Sequence, residues 1–118
     1  MAGSYRDLIA WQKAMALVTE VYHVTDDFPR REMYGLTRLV REAAVSVPSN
    51  IAEGKGRQTK KDYAQFLYRA RASLYETQTQ LEIGKNLKFL SEEGFTKISA
   101  QCVETGRVLN GLITSLIP

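Results

Sequence analysis

A chain of 118 residues is long enough for one compact domain with one core and too short for two. With 44% hydrophobic and 25% charged residues it is excluded from the disordered class. No apolar run approaches the ~20 residues of a bilayer span, which excludes a membrane partner of that kind.

The first helix is predicted from two adjacent apolar seams. One runs through Leu8, Trp11, Met15, Val18, Tyr22 and Thr25, and the other through Ala14, Leu17, Val21, Val24 and Phe28. One stripe serves a helix on the surface of a monomer. Two stripes mean either a helix that also touches another subunit or one buried deep in its own bundle, and both readings stand at this point. Pro29 ends the helix and holds Phe28 extended.

The second helix is expected from near Glu32, with Met33, Leu36, Val40, Ala43, Val47 and Ile51 facing inward. Pro48 lies inside this pattern, lacks a backbone donor and crowds the Ala44 carbonyl, so a kink is predicted there. Gly54 and Gly56 are read as a left-handed end to the helix. Thr59, with Asp62 three residues on, marks the start of the third helix, which carries Tyr63, Leu67, Ala70, Leu74 and Leu81 inward and extends to about Leu90. Ser91, followed by Glu92 and Glu93, opens the fourth, with its seam at Phe95, Ile98, Cys102, Leu109, Leu112 and Leu116. No segment alternates with period two. The prediction is an all-α, up-and-down four-helix bundle with a kinked second helix, a single domain over residues 1–118.

Residues able to do chemistry are few. His23 is the sole histidine and has no cysteine or carboxylate at ligand spacing, so it is read as a surface residue. Cys102, the sole cysteine, excludes an intrachain disulfide, fits a reducing cytosol and falls on a core seam. Neither a metal, a cofactor nor a catalytic site is expected. The opening Met-Ala-Gly-Ser-Tyr-Arg-Asp lacks the apolar stretch of a signal peptide, so a cytoplasmic location is expected.

Charge is more informative. Between Phe28 and Ala72 stand ten basic residues against four acids, while the rest of the chain holds six bases and nine acids. An anionic partner for the central third is therefore expected. Its densest part is Lys55, Arg57, Lys60 and Lys61, around the start of the third helix, where the dipole already favours phosphate. Arg31, Arg38 and Arg41 are expected to extend that surface. The alternative is a solvated basic turn. Tyr63, Phe66 and Tyr68 stand nearby as base-stacking candidates, although core positions are the commoner use of aromatics at helical spacing. Two polar rows, Ser46, Asn50 and Glu53 on the second helix and Arg69, Ser73 and Glu76 on the third, are expected to face one another in a network that sets helix register or a subunit contact.

The run Ala43-Ala44-Val45-Ser46-Val47-Pro48-Ser49-Asn50-Ile51-Ala52-Glu53-Gly54 resembles the signature of the bacterial four-helix-bundle family encoded by 23S rRNA intervening sequences. Leu8 to Trp11 with Gln12-Lys13-Ala14, Phe28-Pro29 with Tyr34-Gly35-Leu36-Thr37, and Gln65-Phe66-Leu67 with Ala70, Ser73, Leu74 and Glu76 match it as well. Leu39 and Glu42 depart from the family's pattern, in which glutamine and a second basic residue are common. The resemblance implies a cytoplasmic bacterial protein that forms a homopentamer. It also points to a relative, the accessory protein of diversity-generating retroelements, a basic pentamer that binds nucleic acid and a reverse transcriptase. Two functions follow as expectations. The first is a non-enzymatic oligomer that binds RNA or DNA through phosphate contacts, and the second is a homo-oligomeric scaffold for a protein partner with no role in nucleic-acid binding.

Overall fold

The computed structural model describes residues 3–117; Met1, Ala2 and Pro118 lie outside it. Four helices account for nearly all of the chain: α1 (Ile9–Thr25), α2 (Leu36–Lys55), α3 (Lys60–Asn86) and α4 (Glu92–Leu116). Short 3-10 turns at Tyr5–Asp7 and Arg30–Glu32 precede α1 and α2, and no strand occurs among the described residues. The helices pack in cyclic order, α1 on α2, α2 on α3, α3 on α4 and α4 on α1. This is the up-and-down bundle that the periodicity predicts. It measures 46 × 24 × 20 Å.

The core is built from one stripe of each helix. Ala14, Leu17 and Val21 meet Val40, Val47 and Ile51, Leu67, Leu74 and Leu81, and Ile98, Cys102 and Leu109, all of them buried. In this apolar setting the Cys102 thiol is pushed up to about 12, so it behaves as a small hydrophobe. Of the two α1 seams, the one through Ala14, Leu17 and Val21 fills the core. The other is shared: Leu8, Trp11 and Val18 pack at its edge, while Met15 and Tyr22 remain exposed. A deeply buried α1 is therefore not what the chain builds.

Helix starts follow the capping residues closely. The Thr59 hydroxyl accepts the Asp62 backbone N–H at 3.1 Å, and the Ser91 hydroxyl accepts that of Gly94 at 3.0 Å. Three boundaries differ from expectation. After Pro29 the chain makes the Arg30–Glu32 turn, and α2 begins only at Leu36, where the Glu32 carboxylate accepts the Leu36 N–H at 3.0 Å. Met33 precedes the helix and is 46% exposed instead of facing inward. At the far end, Gly54 lies within α2, and Gly56 closes it with ordinary right-handed angles (φ −81°, ψ −3°), so no left-handed cap forms. α3 stops at Asn86, not Leu90. Lys88 takes a left-handed conformation (φ 66°), and the Phe89 N–H reaches back to the Gly84 carbonyl at 2.9 Å, a Schellman-type closure made without glycine. α2 continues through Pro48, whose side chain is buried.

Gly54 fixes how closely α2 and α3 approach. A Cβ built there would lie 2.9 Å from the Phe66 Cβ and 3.1 Å from the Tyr63 carbonyl oxygen. Only a residue without a side chain allows the two helices this separation.

Candidate nucleic-acid interface

The up-and-down order puts the start of α1, the end of α2, the start of α3 and the end of α4 at one end of the molecule. Cross-helix contacts set the level of each pair. Arg41 on α2 joins Asp26 after α1, Ser73 on α3 joins Ser46 on α2, and Lys13 on α1 joins Glu104 on α4.

Divided at the helix midpoints, the two halves differ in charge. The half with the α2–α3 turn holds nine bases (Arg6, Lys13, Lys55, Arg57, Lys60, Lys61, Arg69, Arg71 and Arg107) and four acids (Asp7, Glu53, Asp62 and Glu104). The opposite half holds seven bases and nine acids. A modest net charge of +3 thus conceals a basic end and a weakly acidic one.

Within the basic half, two cations share one carboxylate. Arg107 grips Glu104 through two bonds of 2.7 and 2.8 Å, and Lys13 approaches the same carboxylate at 3.4 Å. The Arg107 hydrogen bonds, helped by Lys13, hold the Glu104 carboxyl down at about 2. Arg6, Lys55, Arg57, Lys60, Lys61, Arg69 and Arg71 have no ion-pair partner among the described residues. Lys60 and Lys61 occupy the first turn of α3, where like charge costs roughly 0.3–1 kcal/mol per exposed residue. A bound anion removes that cost. Gly56 and Arg57 form the turn just before them.

Of the seven cations expected in one surface, the fold unites four: Lys55, Arg57, Lys60 and Lys61. Arg31, Arg38 and Arg41 lie at the opposite end, with Arg38 roughly 25 Å from Lys55 along α2 at the usual helical rise. Arg41 is also committed locally. Its Nε donates to the Thr25 hydroxyl at 2.8 Å, its Nη2 contacts Asp26 at 3.1 Å, and its guanidinium covers the Tyr22 ring. Arg38 pairs with Glu42 at 3.0 Å, and Arg31 lies over Phe89. Arg31 belongs to the separate 3-10 turn and does not share a helix with Arg38. The residue that sequence reasoning missed is Arg6. The Tyr5–Asp7 turn that packs on α1 and α2 carries it to the basic end, and Gln12 Nε2 donates to its carbonyl at 2.8 Å. The available signal was Ser4-x-x-Asp7, which forms a complete capping box.

The polar rows do face one another, through half of their members. Ser73 Oγ donates to Ser46 Oγ at 2.9 Å, while Asn50 Nδ2 donates to the Ser46 carbonyl at 2.8 Å and to its hydroxyl at 2.9 Å. Glu53, Arg69 and Glu76 are exposed and stand outside this net, Arg69 lying over Phe66 instead. Replacing Ser73 with alanine is expected to lower unfolding stability by about 1 kcal/mol, read as an earlier urea midpoint at unchanged slope. No change in midpoint would remove the network from the forces holding α2 to α3.

His23 is exposed and approaches Glu20 at 3.6 Å. No group of three or more metal-ligating side chains converges among the described residues. Among the described residues, no helix is long and apolar enough to cross a membrane.

A family model described as 23S rRNA-intervening sequence protein matches residues 6–111. The chain belongs to that family. The match covers α1, α2 and α3 whole and α4 as far as Gly111, including the run from Ala43 to Gly54 and the basic turn after it. Among solved structures, the chain is similar to a protein of unknown function from the S23 ribosomal protein family of Bacteroides thetaiotaomicron. The TM-score is 0.80 at 18% identity, over 89% of this chain and 98% of that one. At that identity the likeness concerns the fold alone. No curated protein matches the chain.

Proposed function

We propose that the protein is a non-enzymatic, oligomeric accessory protein of the cytoplasm that binds nucleic acid through phosphate contacts at its basic end. The observation that carries the proposal is the segregation of charge. Four cations of the α2–α3 turn without an ion-pair partner gather with Arg6 at one end, while nine of the thirteen acids lie in the other half. Phosphate contacts of this kind position a protein on nucleic acid without reading sequence. The pentameric state implied by the resemblance belongs to the same proposal, since several basic ends on one particle multiply a weak contact.

Fluorescence anisotropy with a 20-base-pair duplex across a salt series tests it. With about five phosphates engaged per bundle, log affinity against log salt is expected to fall with a slope of about −4 to −5. Absence of binding near physiological salt overturns the proposal.

A second reading, a homo-oligomeric scaffold for a protein partner with no nucleic-acid role, is favoured by a different surface. Near the start of α2, Tyr34 is 87% exposed and lines a shallow cleft with Tyr22, Met33 and Arg41, a composition typical of protein contacts. Recovery of one specific partner after nuclease treatment, together with no duplex binding, selects this reading.

A further inference from the structure

The aromatic side chains of the basic end decide which form of nucleic acid suits it. Proteins that hold single strands offer open aromatic faces on which unpaired bases stack. Here those faces are taken. Phe66, half-buried on α3, carries the guanidinium of Arg57 at 4.3 Å and that of Arg69 at 4.7 Å from its ring centre. Both arginines are exposed, so they cover the ring from the solvent side. Arg71, half-buried and bonded to Asn110 at 3.0 Å, lies over Tyr68 at 5.2 Å. At the neighbouring turn, Arg6 lies over both Tyr5 and Trp11, at 5.5 and 5.7 Å. The remaining ring, Tyr63, is engaged in the α2–α3 contact, since its Cδ1 would lie 3.0 Å from a Cβ at Gly54.

We infer that the basic end selects double-stranded over single-stranded nucleic acid, because the rings able to receive an unpaired base are already occupied by the protein's own guanidinium groups. The inference rests on the phosphate-binding reading above. It deepens that reading by assigning the ligand's form. A duplex presents one phosphate charge per roughly 1.7 Å of its axis, with two strands available to a compact cluster of cations. A single strand offers a sparser charge, and its chief compensation, stacking on protein aromatics, is absent from this surface.

The test uses the full-length protein, a 20-base-pair duplex and one of its isolated strands, each labelled, at a common salt concentration. The duplex is expected to bind roughly five-fold or more tightly than the strand. A second sequence of the same length is expected to give the same ratio. In the double variant Arg57→Gln and Arg69→Gln, Phe66 is uncovered while two phosphate contacts disappear. The duplex preference is then expected to fall to roughly two-fold or less. A wild-type protein that binds the strand as tightly as the duplex overturns the inference and leaves phosphate binding intact, and so does a preference unchanged in the double variant. Binding to neither probe overturns the phosphate reading itself.

Discussion

Valine in place of Gly54 is expected to destabilise the bundle by about 3 kcal/mol and to lower Tm by roughly 10 °C. The clash is steric and local. A Cβ at this position meets the Phe66 Cβ at 2.9 Å, the Tyr63 Cδ1 at 3.0 Å and the Tyr63 carbonyl oxygen at 3.1 Å. Two of these atoms belong to, or sit directly on, the α3 backbone, so no rotamer change relieves the contact. α2 and α3 must separate, and the Ser46–Ser73 bond farther along the same seam is strained with them. Alanine brings the same Cβ but recovers about 1 kcal/mol of helix propensity, so its loss is expected to be smaller. Gly111 supplies the contrast. It lies in α4, and a Cβ there meets nothing within 4 Å. Alanine at Gly111 is expected to leave stability unchanged or raise it by up to about 1 kcal/mol. Thermal unfolding of the two variants side by side is the check, and a Gly54 valine variant as stable as wild type would refute the packing described for this turn.

The other large effect is on binding. Changing Lys55, Arg57, Lys60 and Lys61 together to glutamine is expected to flatten the salt slope by about 3 to 4. Affinity for a duplex is expected to fall by two to three orders of magnitude near 0.1 M salt, at roughly one released counterion per lost contact. The fold is expected to survive, because none of the four is fully buried or ion-paired. Removing Lys60 and Lys61 from the first turn of α3 raises stability by a few tenths of a kcal/mol. Glutamine at Arg31 and Arg38, at the opposite end, is the control and is expected to leave the slope within about one unit of wild type. Equal losses from the two sets would mean that binding follows net charge and not the basic end.

Much of the architecture was legible from period and capping residues. The seams through Leu17 and Val21, Val40 and Val47, Leu67 and Leu74, and Ile98 and Leu109 are the core stripes found in the bundle. Thr59 and Ser91 open α3 and α4 as their side chains predict. Two of the boundaries that escaped have a common cause: each is set by a contact that composition does not advertise. Glu32 caps α2 from four residues upstream, and Lys88 adopts the left-handed conformation in which glycine is the usual occupant. The candidate site was half legible for a different reason. A window along the chain sums charges that are adjacent in sequence, whereas an up-and-down bundle groups them by end. Arg38 and Arg41 share a helix with Lys55 yet stand near its opposite terminus, and Arg6, distant in sequence, joins the basic end. Arg41 illustrates the point most sharply, since its partners Thr25 and Asp26 lie 16 and 15 residues before it.

The separation of charge along a 46 Å axis also makes the bundle a permanent electric dipole. In the field of a polyanion such a body feels a torque as well as a pull, and it turns its basic end forward before any contact is made. The orientational search that slows most macromolecular encounters is shortened accordingly. Because the screening length at physiological ionic strength is only about 8 Å, this guidance is confined to the last stage of approach. If the bundle binds a polyanion as proposed, added salt is therefore expected to slow its association as well as to shorten the lifetime of the complex.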